Sequence, residues 1–179
     1  MTKLLNDYKK ILYFLENLNN RNVLNPLSKT IKIQDSILNL FDTLYYVVND
    51  MSNIKSNKNI ILDMFVFKKF LSKYRLVTIL LRAIELGANM EDFTLNDFML
   101  LIDLKDKDIN IALASSKYIN DKIAKKLIIP IYKVLDNLLS NEILSNKLKK
   151  EVLIFLHKDE NIKSKTLQPL IVKYKHYNE

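Results

Sequence analysis

Residues 60–87 read IILDMFVFKKFLSKYRLVTILLRAIELG, and this stretch decides the fold. Apolar residues recur at helical spacing from Ile60 to Leu86, and Gly87 stands where a helix needs a left-handed residue to stop. Twenty-seven residues is long for one globular helix, so a break is expected near Ser72-Lys73. Gly87 is the only glycine among 179 residues. One glycine is too few for a β-sandwich, a dinucleotide fold or a phosphate-cradling loop, which all use glycine where the backbone turns sharply. With 49% apolar residues and three prolines, the chain can build a core instead of staying disordered.

Helical signals continue on both sides. Upstream, Leu4, Tyr8, Ile11, Leu15 and Leu18 form one apolar face, with Thr2 as a cap and Asn19–Asn22 as a stop. Asn25-Pro26 starts a second helix carrying Leu27, Ile31, Leu38, Phe41, Leu44, Tyr45 and Val48. The polar stretch 49–59 is then expected to be a flexible loop. Downstream, Thr94 and Asp97 have capping-box spacing and predict a short helix through Leu104. Asp108 is expected to cap another through Ser115, and Asn120-Asp121 a longer one that Pro130 kinks or splits. Leu148, Val152, Phe155 and Leu156 mark the next, and Thr166 is expected to cap the last, through about Tyr174. No strand alternation persists, and no period of about 30 to 45 residues repeats. The expected fold is all-α: a single domain over 1–179, an irregular bundle or short stack of about eight helices.

Charge is unevenly distributed. Residues 1–83 carry a net +7, residues 84–116 a net −5 and residues 117–179 a net +6. Glycine, alanine, proline and arginine are scarce while lysine, asparagine and isoleucine abound, which points to an AT-rich genome and lysine drift. That drift weakens a pI near 9.4 as a nucleic-acid signature. The first twenty residues, broken by Lys3, Asp7, Lys9, Lys10 and Glu16, hold no signal-peptide core. No apolar run approaches the roughly 18 residues of a membrane span. A cytoplasmic or nuclear location and no membrane partner are expected.

Chemistry-bearing patterns are sparse. Without cysteine there is no disulfide, thiol nucleophile or cysteine-bound metal. The two histidines, His157 and His176, lack ligand spacing and suit helix C-termini, where the dipole favours a cation. Asp103, Asp106 and Asp108 alternate like ligands in a calcium loop, but the sharp-turn glycine is missing and position twelve is Ala114. They read as caps and turn residues. Ser115-Ser116 has no histidine nearby in sequence to activate a hydroxyl. No catalytic, metal or cofactor site is expected.

The basic residues offer more. Lys68, Arg75 and Arg82 are seven apart and would share one helix face, where an arginine fork can grip carboxylate or phosphate at two points. They are the expected partner-binding residues. At the C-terminus, Lys173, Tyr174, Lys175 and Tyr177 interleave cations with rings in a basic tail, 173–179, a pattern that suits single-stranded nucleic acid. Lys147, Lys149, Lys150, Lys163 and Lys165 could broaden such a surface.

Leu76–Leu139 resembles the N-terminal helical domain of transcription elongation factor IIS and its relatives in elongin A and Mediator. The similarity lies in Ile79–Ile84, Phe93-Thr94-Leu95, Ile109–Leu113, Ile123–Ile128 and Tyr132-Lys133. Asn110 stands where that family has glycine, and the family's tryptophan is absent, with Tyr132 a loose substitute. The resemblance implies a docking module without catalysis. The function expected from the sequence is therefore a non-enzymatic protein-docking or adaptor module whose partner presents an acidic segment. A basic accessory protein for RNA, DNA or a ribonucleoprotein such as the ribosome stands second.

Overall fold

A computed structural model describes residues 40–49 and 59–175. The expected helices over Leu4–Leu18 and from Asn25-Pro26 to residue 39 lie outside the described residues, as do residues 50–58 of the expected loop, His176 and Tyr177. The described chain is helical, with no strand among the described residues. It divides into two compact units, Met1–Asn89 and Met90–Glu179.

In the first unit, α1 (residues 40–49) buries Leu40, Leu44 and Val48, one residue per turn on a single face. α2 (Ile60–Phe65) buries Ile60, Ile61 and Met64, and a 3₁₀ turn at Val66–Lys69 buries Phe67. The break expected in residues 60–86 is real. Ser72 is extended, with ψ 153°, and its hydroxyl accepts from the Arg75 N–H at 3.4 Å, so α3 starts afresh as Lys73–Glu85. Leu76, Ile79, Leu80 and Ala83 on α3 face the core, and α3 packs against α2. Gly87 closes it at φ +85°. Its N–H reaches the Ile84 carbonyl at 3.0 Å and that of Ala88 the Ala83 carbonyl at 3.0 Å, a Schellman motif.

In the second unit, α4 (Leu95–Ile102) has the expected capping box between Thr94 and Asp97. α5 (Lys107–Ser115) starts earlier than the sequence suggested. Asp106, not Asp108, is the cap, its carboxylate accepting from the N–H groups of Asp108 and Ile109 at 3.0 and 3.1 Å. Asn120 caps α6 (Asp121–Ala124), which tightens into a 3₁₀ turn at Lys125–Leu127. Pro130 splits the expected long helix outright, and α7 (Tyr132–Ser140) follows. α8 (Asn146–Leu156) is capped by Ser145, and α9 (Asp159–Ile162) is a turn the sequence did not announce. α10 (Gln168–Lys173) has Pro169 in its first turn and no side-chain cap; the Thr166 hydroxyl bonds Ser164 at 2.8 Å instead.

α7 is the centre of this unit, packed against α5 and α8. Val134, Leu135 and Leu138 are fully buried, as are Ile109, Leu113, Val152 and Leu156 from its neighbours. Each such side chain contributes about 1.5–3 kcal/mol of burial, far more than any surface ion pair.

Candidate functional site

The helix break separates the three expected partner-binding cations. Lys68 lies in the 3₁₀ turn and is exposed, whereas Arg75 and Arg82 lie on α3 beyond extended Ser72. The single face that their spacing implied does not exist, because Ser72 resets the helical phase between them. Both arginines turn toward α1. The Arg75 guanidinium sits 5.4 Å from the Phe41 ring centroid. Arg82 Nε donates to Asn49 Oδ1 at 2.8 Å, and its fork meets Glu85 at 3.6 Å. Asn49 is held for this role, since its Nδ2 donates to the Tyr45 carbonyl at 2.8 Å.

These contacts join α1 to α3 through polar and cation–π links. Arg75→Ala and Arg82→Ala are each expected to cost about 0.5–1.5 kcal/mol, the range of one cation–π contact or one hydrogen bond. Urea titrations of the two single variants measure this. Midpoints equal to that of the unaltered chain would show that neither contact holds α1 in place.

A surface the sequence reading passed over lies at the start of α3. Tyr74 is 80% exposed, and Lys68, Lys69 and Lys73 beside it in the chain are exposed as well. Lys69 Nζ lies 4.9 Å from the Phe70 ring centroid. The first turn of α3 contains no acidic residue to offset the positive end of the helix dipole. The signal was available: the periodicity that sends Leu76, Ile79, Leu80 and Ala83 inward puts Tyr74 on the opposite side of the helix.

The C-terminal candidates divide. Tyr174 is 6% exposed, so its ring packs in the core and offers no face to a base. Asp136 Oδ1 on α7 accepts from Lys173 Nζ at 2.7 Å and from the Tyr174 hydroxyl at 3.0 Å. The Asp136 hydrogen bond raises the Lys173 ammonium above its usual range, and burial, aided by the same carboxylate, raises the Tyr174 phenol. Lys175 is exposed; Tyr177 is outside the described residues. Lys147, Lys150, Lys163 and Lys165 are exposed and Lys149 is half-buried.

The remaining polar groups work as caps and ties. Asp121 accepts from both the hydroxyl and the backbone N–H of Ser145, the latter at 3.0 Å, and these bonds hold its carboxyl below the usual range. Lys125 meets Glu151 at 2.8 Å, a second link from that segment to α8. His157 caps α8, its Nδ1 2.8 Å from the Leu153 carbonyl oxygen. Among the described residues, no three His, Asp or Glu side chains group as metal ligands, and no helix is long and apolar enough to cross a membrane. No family model, curated protein or solved structure matches the chain.

Proposed function

We propose that the chain is a non-catalytic docking module that receives an acidic protein segment on the surface around Tyr74. The observation that carries this reading is an 80%-exposed tyrosine with exposed Lys68, Lys69 and Lys73 close to it in the chain. Tyrosine is enriched where proteins meet, because a rigid ring covers much area at little entropic cost. Lysines around it attract carboxylates and speed encounter. Arg75 and Arg82 tie α1 to α3, the helix that carries Tyr74, and each remains half-exposed. The resemblance of residues 76–139 to a docking domain points the same way, although that stretch runs across the division at Asn89 and the reading does not depend on it.

The test is capture from the native source with and without nuclease, using the unaltered chain and a Lys73→Glu/Tyr74→Ala variant. Both positions are exposed, so the variant's thermal stability should stay within about 0.5 kcal/mol. Capture that survives nuclease and is lost in the variant supports protein docking here. Equal capture by both proteins rejects this surface.

One observation favours the nucleic-acid reading: Lys147, Lys150, Lys163 and Lys165 are all exposed in the second unit. On that reading binding is weak and non-specific, about 10⁻⁴–10⁻⁶ M, and falls linearly on a log–log plot against salt. Capture abolished by nuclease would put it first.

A further inference from the structure

The C-terminal ends of α5 and α7 open onto one cleft of about 330 Å³. Ser115 and Ser140, the last residues of those helices, line it together with Asn137, Asn141, Glu142, Lys117 and Ile143. Each helix end carries a partial negative charge, at most about half a unit, from the aligned peptide dipoles.

Most of the hydroxyl and amide hydrogens on the walls are already committed to the backbone. The Ser115 hydroxyl donates to the Ala112 carbonyl at 3.0 Å and the Ser140 hydroxyl to the Asp136 carbonyl at 2.8 Å. Asn141 Nδ2 donates to the Ala114 and Ser116 carbonyls, both at 3.1 Å, which uses both of its hydrogens. Its Oδ1 accepts from the Ile143 N–H at 3.1 Å, so the amide orientation is fixed from both ends. Asn137 Nδ2 donates to the Ile111 carbonyl at 3.1 Å. What these side chains have left over is mainly oxygen: the lone pairs of two hydroxyls and Asn137 Oδ1, against one remaining Asn137 N–H. Glu142, exposed, adds a full negative charge. The opposing cation, Lys117, has its ammonium 5.1 Å from the Tyr118 ring centroid. Ile143, 57% exposed, supplies an apolar wall.

We infer that this cleft binds a small organic cation rich in hydrogen-bond donors, a guanidinium or primary ammonium on a short alkyl chain. A planar guanidinium presents five N–H donors and can meet hydroxyl, amide and carboxylate oxygens at once, while its methylenes lie along Ile143. The volume is at the lower end of the range for small-ligand sites, which fits a ligand of this size. Negative helix ends and an acceptor lining disfavour anions. This site is independent of the Tyr74 surface and stands or falls by itself.

The experiment uses the full chain, labelled with ¹⁵N, and follows the side-chain amides of Asn137 and Asn141. Agmatine, carrying both cationic groups, is expected to shift them saturably in the millimolar range or below. Butylamine should bind more weakly, and tetramethylammonium, a cation with no donor, should bind at least about tenfold more weakly than agmatine, the loss that follows from removing charge-assisted hydrogen bonds. Glu142→Lys should weaken agmatine by about tenfold or more while the backbone amide spectrum elsewhere stays unchanged. Equal shifts with tetramethylammonium, unchanged affinity in Glu142→Lys, or no saturable shift at tens of millimolar agmatine would each overturn the assignment. A lysine or arginine peptide that binds while free agmatine does not would reject a small-molecule site in favour of a basic side chain as occupant.

Discussion

Asp136→Ala is expected to lower stability by about 1–3 kcal/mol, because it removes the carboxylate that accepts from both the Tyr174 hydroxyl and the Lys173 ammonium, and hydrogen bonds to a charged group are the stronger kind. In a chain of this size that moves the thermal midpoint by several degrees, at about 2–4 °C per kcal/mol. The phenol lies in a residue only 6% exposed, and Asp136 is the acceptor that the fold brings to it. Tyr174→Phe should cost less, because donor and partner demand disappear together and Asp136 keeps Lys173. The pair of variants therefore separates the Tyr174 bond from the Lys173 bond to the same carboxylate. A pH series adds a second readout. Lys173 and Tyr174 both have folded pKa values raised above the ordinary 10.5 and 10.0. A raised folded pKa gives stability that is complete below the unfolded value and lost as pH rises through the folded one. Stability should thus decline above about pH 10, and the part of the decline due to these groups should shrink in Asp136→Ala. Equal midpoints for Asp136→Ala and the unaltered chain would remove Asp136 as the anchor of α10.

Asp136 also shows where sequence reading stops. Its partners lie 37 and 38 residues away, and nothing local to Leu135-Asp136-Asn137 distinguishes it from a solvated acid. Lys173 and Tyr174 looked like an exposed tail for the same reason: a tertiary bond across that distance leaves no periodic trace. Gly87, Thr94, Asn120 and Pro130 were legible because each acts within four residues, through a positive φ, a cap or a missing N–H. Asp106 and Asp108 mark the boundary between these cases. Both are good cap residues two apart, and in the fold it is Asp106 that takes the extended backbone of a cap and meets the N–H groups of Asp108 and Ile109. The stripe Lys68–Arg75–Arg82 failed at a position the sequence did flag, since spacing across Ser72 counts as one face only if the helix is unbroken.

The other large effect is expected to run in the stabilising direction. Asn110 lies on α5 at 6% exposure, and its Oδ1 is buried with no hydrogen-bond partner among the described residues. Burying an unsatisfied carbonyl costs about 1–3 kcal/mol, and asparagine is a poorer helix former than leucine by roughly half a kcal/mol. Leucine has the same branching as asparagine, with methyls in place of the amide oxygen and nitrogen. The surroundings suit it, because Ile109, Leu113 and Ala114 on the same helix are fully buried. Asn110→Leu is accordingly expected to raise stability by about 1–2 kcal/mol, after allowance for the slightly larger volume. Urea unfolding at unchanged m-value measures it, with the midpoint moving up. Asn110→Ala serves as the control: it also removes the orphaned oxygen but leaves a gap, so its gain should be smaller than that of leucine. A lower midpoint for both variants would mean that Oδ1 holds an internal water in solution, because removing a satisfied carbonyl destabilises whichever apolar residue replaces it.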